Sequence, residues 1–530
     1  MDSATREWLS AGADALAPAR SRWVEARCLT VPLVLLLVLR LPSLFEPHWY
    51  TDEAGYANTA WEMAHGKILF LTAWNNKPPL LFWIYQLGYG ISGNRELGIH
   101  LLSVVAESAA LVATWVMARQ YLSSRRVWVA LLLASFFLAT PVFDGDLALP
   151  EDLLIGLTPW AMVAVLAALR TKSSSHAVNW SVVAGVLFAG AILIQQTALA
   201  DLASACLVMV VINRRGTWLA LISVLTTVVV FALVLAPFVR AAGFHNVFFL
   251  LVTSYGGYAA TSSHPSLLPV IARVVAAISL LGGAYLARRW PTERRLPWVW
   301  LAVLLLTYGL PNRAYLHFLL PAVPAAALVL ARLGAPDWRS WRSRSGVALI
   351  PLMASVAIGA IIWGSLVEMS ASSGSLFTFA LTGEYYPAFV GKLTGQVSEA
   401  EFAAVYGPTI TAEYEAAVWI RTNHLTGATA VIWSPNSWDY LLAGLRAILP
   451  EPTIYENSQL LGNQTVLRRV RADRPVVIFL TQNSYTQYGP ISPILTASYT
   501  EVEVTSVSEL WIRSDVATRV LASAERGGGG

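Results

Sequence analysis

The chain has 530 residues, 56% of them hydrophobic and only 13% charged, with a formal net charge of +4 at pH 7. That balance excludes a soluble globular protein. It also argues against a nucleic-acid binder, because the arginines sit in short loops between apolar runs and build no basic face. Apolar segments of about twenty residues recur along the chain and identify a polytopic α-helical membrane protein. The two cysteines, Cys28 and Cys206, lie in or beside apolar segments, which argues against a disulfide framework or a zinc site.

Residues 1–28 are polar, with Arg20, Arg22 and Arg27, and read as a cytoplasmic segment. The apolar run at 29–45 has no small-residue cleavage site after it and reads as a retained span. Further spans are expected near 98–118, 127–143, 152–170, 178–194, 197–212, 217–239, 267–287, 297–310, 315–333 and 346–367, about eleven in all. Basic clusters at Arg119/Arg125/Arg126, Arg170/Lys172, Arg214/Arg215, Arg288/Arg289/Arg294/Arg295 and Arg332/Arg339/Arg342/Arg344 fall on one side of that arrangement. The positive-inside rule then makes the N-terminus cytoplasmic and the loop at 46–97 and the C-terminal portion extracytoplasmic. Scarce lysine with abundant arginine, alanine and leucine suits a GC-rich bacterial genome, hence a bacterial cytoplasmic (inner) membrane.

The loop at 46–97 is too polar to cross a bilayer and too aromatic to be a mere connector. Asp52 and Glu53 stand together just after the first span. They are either the solvated start of a helix, with Thr51 or Asp52 as its cap, or a catalytic base poised at the lipid surface. The helix would begin at Glu53, place Tyr56, Ala60, Met63 and Ala64 on one face, stop at Gly66 and lie on the membrane. Asn75-Asn76-Lys77-Pro78-Pro79-Leu80 follows; its two prolines set a second helix start, with the Lys77 ammonium at its mouth. A fixed carboxylate and a fixed cation at one interface suit a lipid-anchored phosphate with a sugar above it.

The next loop on that side carries Asp144, Asp146, Glu151 and Asp152, four acids in nine residues. They read as a solvated loop with Pro150 and Glu151 opening a helix, or as a functional cluster, since acids beside a bilayer are costly unless exposed or paired. Farther on, Arg313 and His317 are one helical turn apart and could meet a phosphate from one face, with Tyr315 between them. From about residue 368 the composition turns mixed. Helices at 413–421, 437–443 and 459–471 alternate with strands at 429–433 and 476–480, before a hairpin at 499–513, so residues 368–522 read as a small α/β domain. No Gly-rich phosphate loop follows either strand. Residues 523–530 read as a disordered tail or a cloning scar.

Asp52-Glu53 with Tyr56 and Met63-Ala64-His65-Gly66, then Lys77-Pro78-Pro79-Leu80 with Trp83, resemble the first extracytoplasmic loop of the GT-C glycosyltransferases. The narrower resemblance is to the bacterial branch holding the aminoarabinose transferases of lipid A and the protein O-mannosyltransferases. Two departures stand out. Gln195, in Ile194-Gln195-Gln196-Thr197, occupies the place of a lysine that faces the lipid phosphate in many relatives, and Asn76 stands where the aminoarabinose transferases carry glutamate.

The resemblance implies a GT-C catalytic domain over 29–367 and an extracytoplasmic cap over 368–522. It implies inverting transfer of a sugar from a polyprenyl-phosphate donor to a hydroxyl of a glycan, lipid or protein acceptor. Asp52 would be the base, and Glu53, Tyr56, Lys77, Gln195, Arg313, Tyr315 and His317 would bind substrate. The second acidic motif, Asp144, Asp146, Glu151 and Asp152, holds a divalent cation (Mg or Mn) in some members. A multi-pass transporter or flippase of lipid-linked glycans is the rival reading, but transporters place their charges near the bilayer midplane and often repeat their halves. A non-catalytic GT-C scaffold that binds lipid is the other.

Overall fold

The computed structural model describes residues 19–93, 96–212, 214–254, 267–286, 292–308, 316–333, 373–481, 489–505 and 507–527. The first part is a bundle of helices. These are α1 (Ala19–Arg40), α2 (Thr51–Ala64), α3 (Pro79–Ser92), α4 (Glu96–Ala118), α5 (Ser124–Ala139) and α6 (Thr158–Arg170), the last led in by a single turn at Pro150–Leu154. There follow α7 (Ser174–Ile194), α8 (Leu199–Ile212), α9 (Arg214–Ala242), α10 (Leu267–Leu286), α11 (Thr292–Tyr308) and α12 (Val323–Leu333). Lipid offers no hydrogen-bond partner to a bare backbone, so apolar runs of this length must close their own ladders as helices. Helix α7 packs between α6 and α9, α1 lies against α5, and α8 lies against α11. The face of α9 with Val228, Val229 and Leu233 is exposed, as a surface covered by lipid would be.

Five segments are long and apolar enough to cross a membrane: Arg27–Phe45, Glu96–Ala118, Pro150–Arg170, Ser174–Ile194 and Gly216–Ala242. Helices also lie at the other expected spans up to residue 333, but several are shorter. The 16 residues of α5 reach only ~24 Å at about 1.5 Å per residue, short of a hydrocarbon core of about 30 Å. The last expected span, 346–367, lies outside the described residues.

The C-terminal part opens with α13 (Ser373–Leu393), α14 (Glu399–Tyr406) and α15 (Ile410–Thr422). It continues with β1 (Thr429–Trp433), α16 (Trp438–Ala443), β2 (Arg446–Ala447), α17 (Ile454–Leu461), α18 (Asn463–Asp473) and β3 (Val477–Thr481). It ends with α19 (Ser492–Ser498), β4 (Tyr499–Val504), β5 (Ser508–Arg513) and α20 (Ser514–Gly527). The sheet order is β2-β1-β3-β5-β4, parallel through β2, β1 and β3 and antiparallel through β3, β5 and β4. Apolar side chains cover both faces: Ile432, Phe479 and Ile512 on one, Val431, Ile478 and Leu480 on the other. The single helix expected at 459–471 is two, broken at Gly462, whose φ of +78° an L side chain rarely adopts. Helix α20 runs through the first half of the segment expected as a tail.

Helix α2 differs most from its sequence reading. Neither Thr51 nor Asp52 caps it; Tyr50 holds the N-cap position in an extended conformation. It is not a one-sided surface helix, because Asn58 Nδ2 donates to the Ser437 carbonyl (2.5 Å) and Glu62 accepts from the Ala447 amide (2.9 Å), so the C-terminal part covers its second side.

Helix α3, which carries Lys77 just before its start, is drawn onto α4 at two glycines. A Cβ on Gly98 would stand 1.9 Å from the Gly88 carbonyl oxygen. Gly98→Ala is expected to force the helices apart at a cost of about 1–3 kcal/mol, read as a lower thermal midpoint of the detergent-solubilised protein.

Candidate active site

Asp52 sits in the first turn of α2 with an exposed side chain, whereas Glu53, Ala54 and Gly55 beside it are buried. The surrounding protein nevertheless reduces its hydration and raises its pKa above the usual aspartate value; His317 and Lys77 oppose the rise, and Glu151 and Asp144 add to it. These residues come from separate stretches of the chain, so the fold brings the charges of Lys77, His317, Asp144 and Glu151 to bear on Asp52. Glu456 of α17 joins them, since its own pKa is raised by burial and by Asp52, against a lowering contribution from Lys77.

Lys77 is buried and set by its loop. Its amide donates to Asn75 Oδ1 (3.2 Å), Asn75 reaches Thr59 of α2 (3.5 Å), and Gln196 donates to the Asn76 carbonyl (2.7 Å). The ammonium lies 6.0 Å from the centre of the Tyr56 ring. Tyr56 packs edge-on against Tyr85, 5.9 Å between centroids, and Tyr85 donates to the Ala148 carbonyl (3.0 Å).

The acidic loop is not solvated. Asp144 adopts a positive φ of +55°, which aspartate tolerates better than most residues, and its Oδ2 meets His317 Nδ1 at 3.0 Å. Gln195 donates to Glu151 Oε1 (2.7 Å), and Asp152 accepts from the Leu149 amide (2.9 Å), closing the first turn at Pro150–Leu154. Asp146 is buried among Glu46, Asp144 and Arg40. Glu53 is buried, accepts from the Ala148 amide (2.5 Å) and lies 3.3 Å from His100 Nε2. Glu53 and Gln195 therefore hold the loop and Glu151. Arg313 and Tyr315 lie outside the described residues. Each acid of the loop has its own partner or place, and among the described residues no three His, Cys, Asp or Glu side chains form a metal-ligand set.

Sequence reading missed Arg40, which ends α1 and looked like an ordinary flanking charge. It is buried, donates to the carbonyls of Gly145 (2.6 Å) and Leu147 (3.0 Å) and to Ser103, and its Nε lies 3.3 Å from Glu107. Two ionisable residues inside apolar runs were the available signal. Glu456 gave none, because its approach to Asp52 is purely tertiary.

Residues 76–240 match the family model described as dolichyl-phosphate-mannose-protein mannosyltransferase. An uncharacterized protein of Aquifex aeolicus is 30% identical over 99 residues, 18% of this chain and 20% of that relative, so the match spans about one fifth of the relative's length. Among solved structures, ArnT from Cupriavidus metallidurans in the apo state superposes with a TM-score of 0.57 at 16% identity, over 93% of this chain and 98% of that one. Archaeoglobus fulgidus AglB, an archaeal oligosaccharyltransferase solved with an inhibitory peptide and a dolichol-phosphate, gives 0.44 at 11% identity, over 88% and 70%. The chain is a polytopic membrane protein by its long apolar helices, and its fold is similar to that of ArnT.

Removing one member of a buried ion pair strands the other, at about 3–5 kcal/mol. Arg40→Met is expected to lower stability by that order and to free the acidic loop, read by thermal unfolding and by proteolysis at 144–149. Adding Glu107→Leu is expected to recover the part due to the stranded carboxylate and leave the loop freed.

Proposed function

We propose that the protein transfers a sugar, with inversion, from a polyprenyl-phosphate donor to an acceptor hydroxyl on the extracytoplasmic face of the membrane. The observation that carries this reading is Asp52, an exposed carboxylate whose ionised form the nearby charges of His317 and Lys77 favour. The family match over 76–240, to a model described as dolichyl-phosphate-mannose-protein mannosyltransferase, supports it.

In this mechanism Asp52 accepts the proton of the acceptor hydroxyl as that oxygen attacks the anomeric carbon from the side opposite the departing phosphate. The bond between the anomeric carbon and the phosphate oxygen breaks, and the electron pair leaves with polyprenyl phosphate. Lys77 meets the negative charge that grows there. His317, with one ring nitrogen bound to Asp144, is oriented to assist. A phosphate is already a good leaving group, so orientation and charge placement supply most of the remaining acceleration. The acceptor is a hydroxyl of a lipid, a glycan or a protein.

The test incubates the purified protein with a panel of polyprenyl-phosphate sugars and acceptors and measures release of polyprenyl phosphate. Asp52→Asn is expected to lower turnover by about 10²–10⁴ with donor binding retained; unchanged turnover would remove Asp52 from the chemistry. A base must be ionised, and the Asp52 pKa is raised, so activity should fall as pH drops through a value above the ordinary aspartate range of about 4. Lys77 holds that pKa down, so Lys77→Met is expected to move the acid limb to higher pH as well as slow turnover. An acid limb that stays put would show that the two charges do not share a site.

A further inference from the structure

Lys77 stands in a stretch that cannot hold itself. Pro78 and Pro79 follow it and have no N–H to give, so the backbone there must be fastened from outside. On one side the fastening is Asn75, which accepts from the Lys77 amide and reaches Thr59 of α2. On the other side it is Gln196. Its Nε2 donates to the Asn76 carbonyl at 2.7 Å and to the Leu251 carbonyl at 3.1 Å, so both amide hydrogens are in use. Two carbonyl partners also settle which end of the side-chain amide is nitrogen.

The backbone just past α7 makes this reach possible. Gln195 is extended, with φ −154° and ψ +136°, and successive side chains of extended backbone point opposite ways. Gln195 therefore turns to Glu151 while Gln196 turns to the Lys77 loop. Leu251 is a firm anchor for the far bond. It lies in a wide π-type turn at Phe249–Thr253, where Leu250 and Leu251 are buried in the core of the bundle and Phe248 and Val252 are exposed. Turns of this kind are rare and often mark functional sites. The Gln196 Oε1 is buried without a hydrogen-bond partner among the described residues. An unmet buried acceptor is costly, and departures of that kind concentrate at functional sites.

We propose that Gln196 is a positioning residue: by fastening the Asn76 carbonyl to the Leu251 carbonyl, it holds the Lys77 ammonium where the transfer reaction needs it relative to Asp52. The inference rests on the reaction proposed above and adds to it the group that sets the place of the cation. Gln196 is uncharged, so it alters the titration of Asp52 only through the charges that act there: His317, Lys77, Glu151 and Asp144, with Glu456. It touches the Lys77 loop directly, and Glu151 through its neighbour Gln195. Those two routes have opposite signs. A retreating Lys77 lets the Asp52 pKa rise and moves the acid limb of activity to higher pH; a retreating Glu151 moves it lower.

The test measures polyprenyl-phosphate release against pH by the full-length protein in detergent, for the wild type, Gln196→Met, Lys77→Met and the double variant, with the thermal midpoint of each. Gln196→Met keeps the length of the side chain and removes the donor. It is expected to lower kcat about 10-fold to 100-fold, as a small misplacement of a catalytic group does, with KM for the donor little changed. It is also expected to move the acid limb to higher pH, by less than Lys77→Met does, and to add nothing to that shift in the double variant. Gln196→Asn, whose amide is one methylene short, is expected to move the limb the same way to a smaller extent, and it stands in should Gln196→Met not fold. A limb that Lys77→Met moves but neither Gln196 variant does, or a change confined to the thermal midpoint, overturns the positioning role and leaves the transfer reaction standing. A limb moved to lower pH does the same, because the effect then runs through Glu151. A wild type that releases no polyprenyl phosphate from any donor overturns both.

Discussion

The Arg40 guanidinium leaves the last turn of α1 and binds the Gly145 and Leu147 carbonyls, while Glu107 of α4 faces its Nε at 3.3 Å. Taking a guanidinium and a carboxylate out of water is expensive, and their attraction repays it only when the remaining donors and acceptors are met. Here the loop carbonyls and Ser103 meet the guanidinium donors, so the pair and the loop require one another. Glu53 and Tyr85 grip the Ala148 amide and carbonyl from the opposite side. Three helices thus fix a six-residue stretch that has no regular structure of its own for most of its length. The position of Asp144, and through it of His317, is inherited from that stretch.

The acids of the loop are engaged by other groups. Asp144 binds His317, Glu151 binds Gln195, Asp152 closes a helical turn, and Glu53 is held by an amide and an imidazole. Asp52 differs in keeping an exposed side chain, and Lys77 and His317 hold down a pKa that the surroundings raise. Such opposed influences are what the proposed role of a general base requires.

The proximity of Asp52 and Lys77 was suggested by local signals, an acid just past an apolar run and a cation ahead of two prolines, and their charges do act on one another in the fold. The strands of the C-terminal part were legible for the same reason, through short apolar runs such as Thr429–Trp433 and Val477–Thr481. Glu53 and Asp52 differ in surroundings because adjacent residues on a helix point about 100° apart, so one is buried against Ala148 and His100 and the other is exposed. Arg40 was not singled out in the sequence, because its partner Glu107 lies 67 residues away, beyond any window of sequence. The two-sided burial of α2 was invisible because its second neighbour arrives almost four hundred residues later.

The manner of that burial bears on how the C-terminal part serves the site. In an open α/β sheet, ligands favour the crevice at the carboxyl ends of the strands where the strand order reverses. Here β1 runs between β2 and β3, so the chain turning out of β1 at Ser434–Ser437 stands at that crevice. The crevice is filled by protein: Asn58 of α2 binds Ser437, and Asn436 binds Glu413 at 2.7 Å. The second strand takes part as well, since Lys67 and Glu62 bind the Ala447 carbonyl and amide, and the Trp74 amide binds the Pro450 carbonyl. The sheet therefore uses its usual ligand position to clamp the helix that carries Asp52 and the loop that leads to Lys77. Glu456 lies on the same clamp and senses both charges. Loosening the clamp would change the distance between Asp52 and Lys77, and the electrostatic balance at Asp52 would change with it.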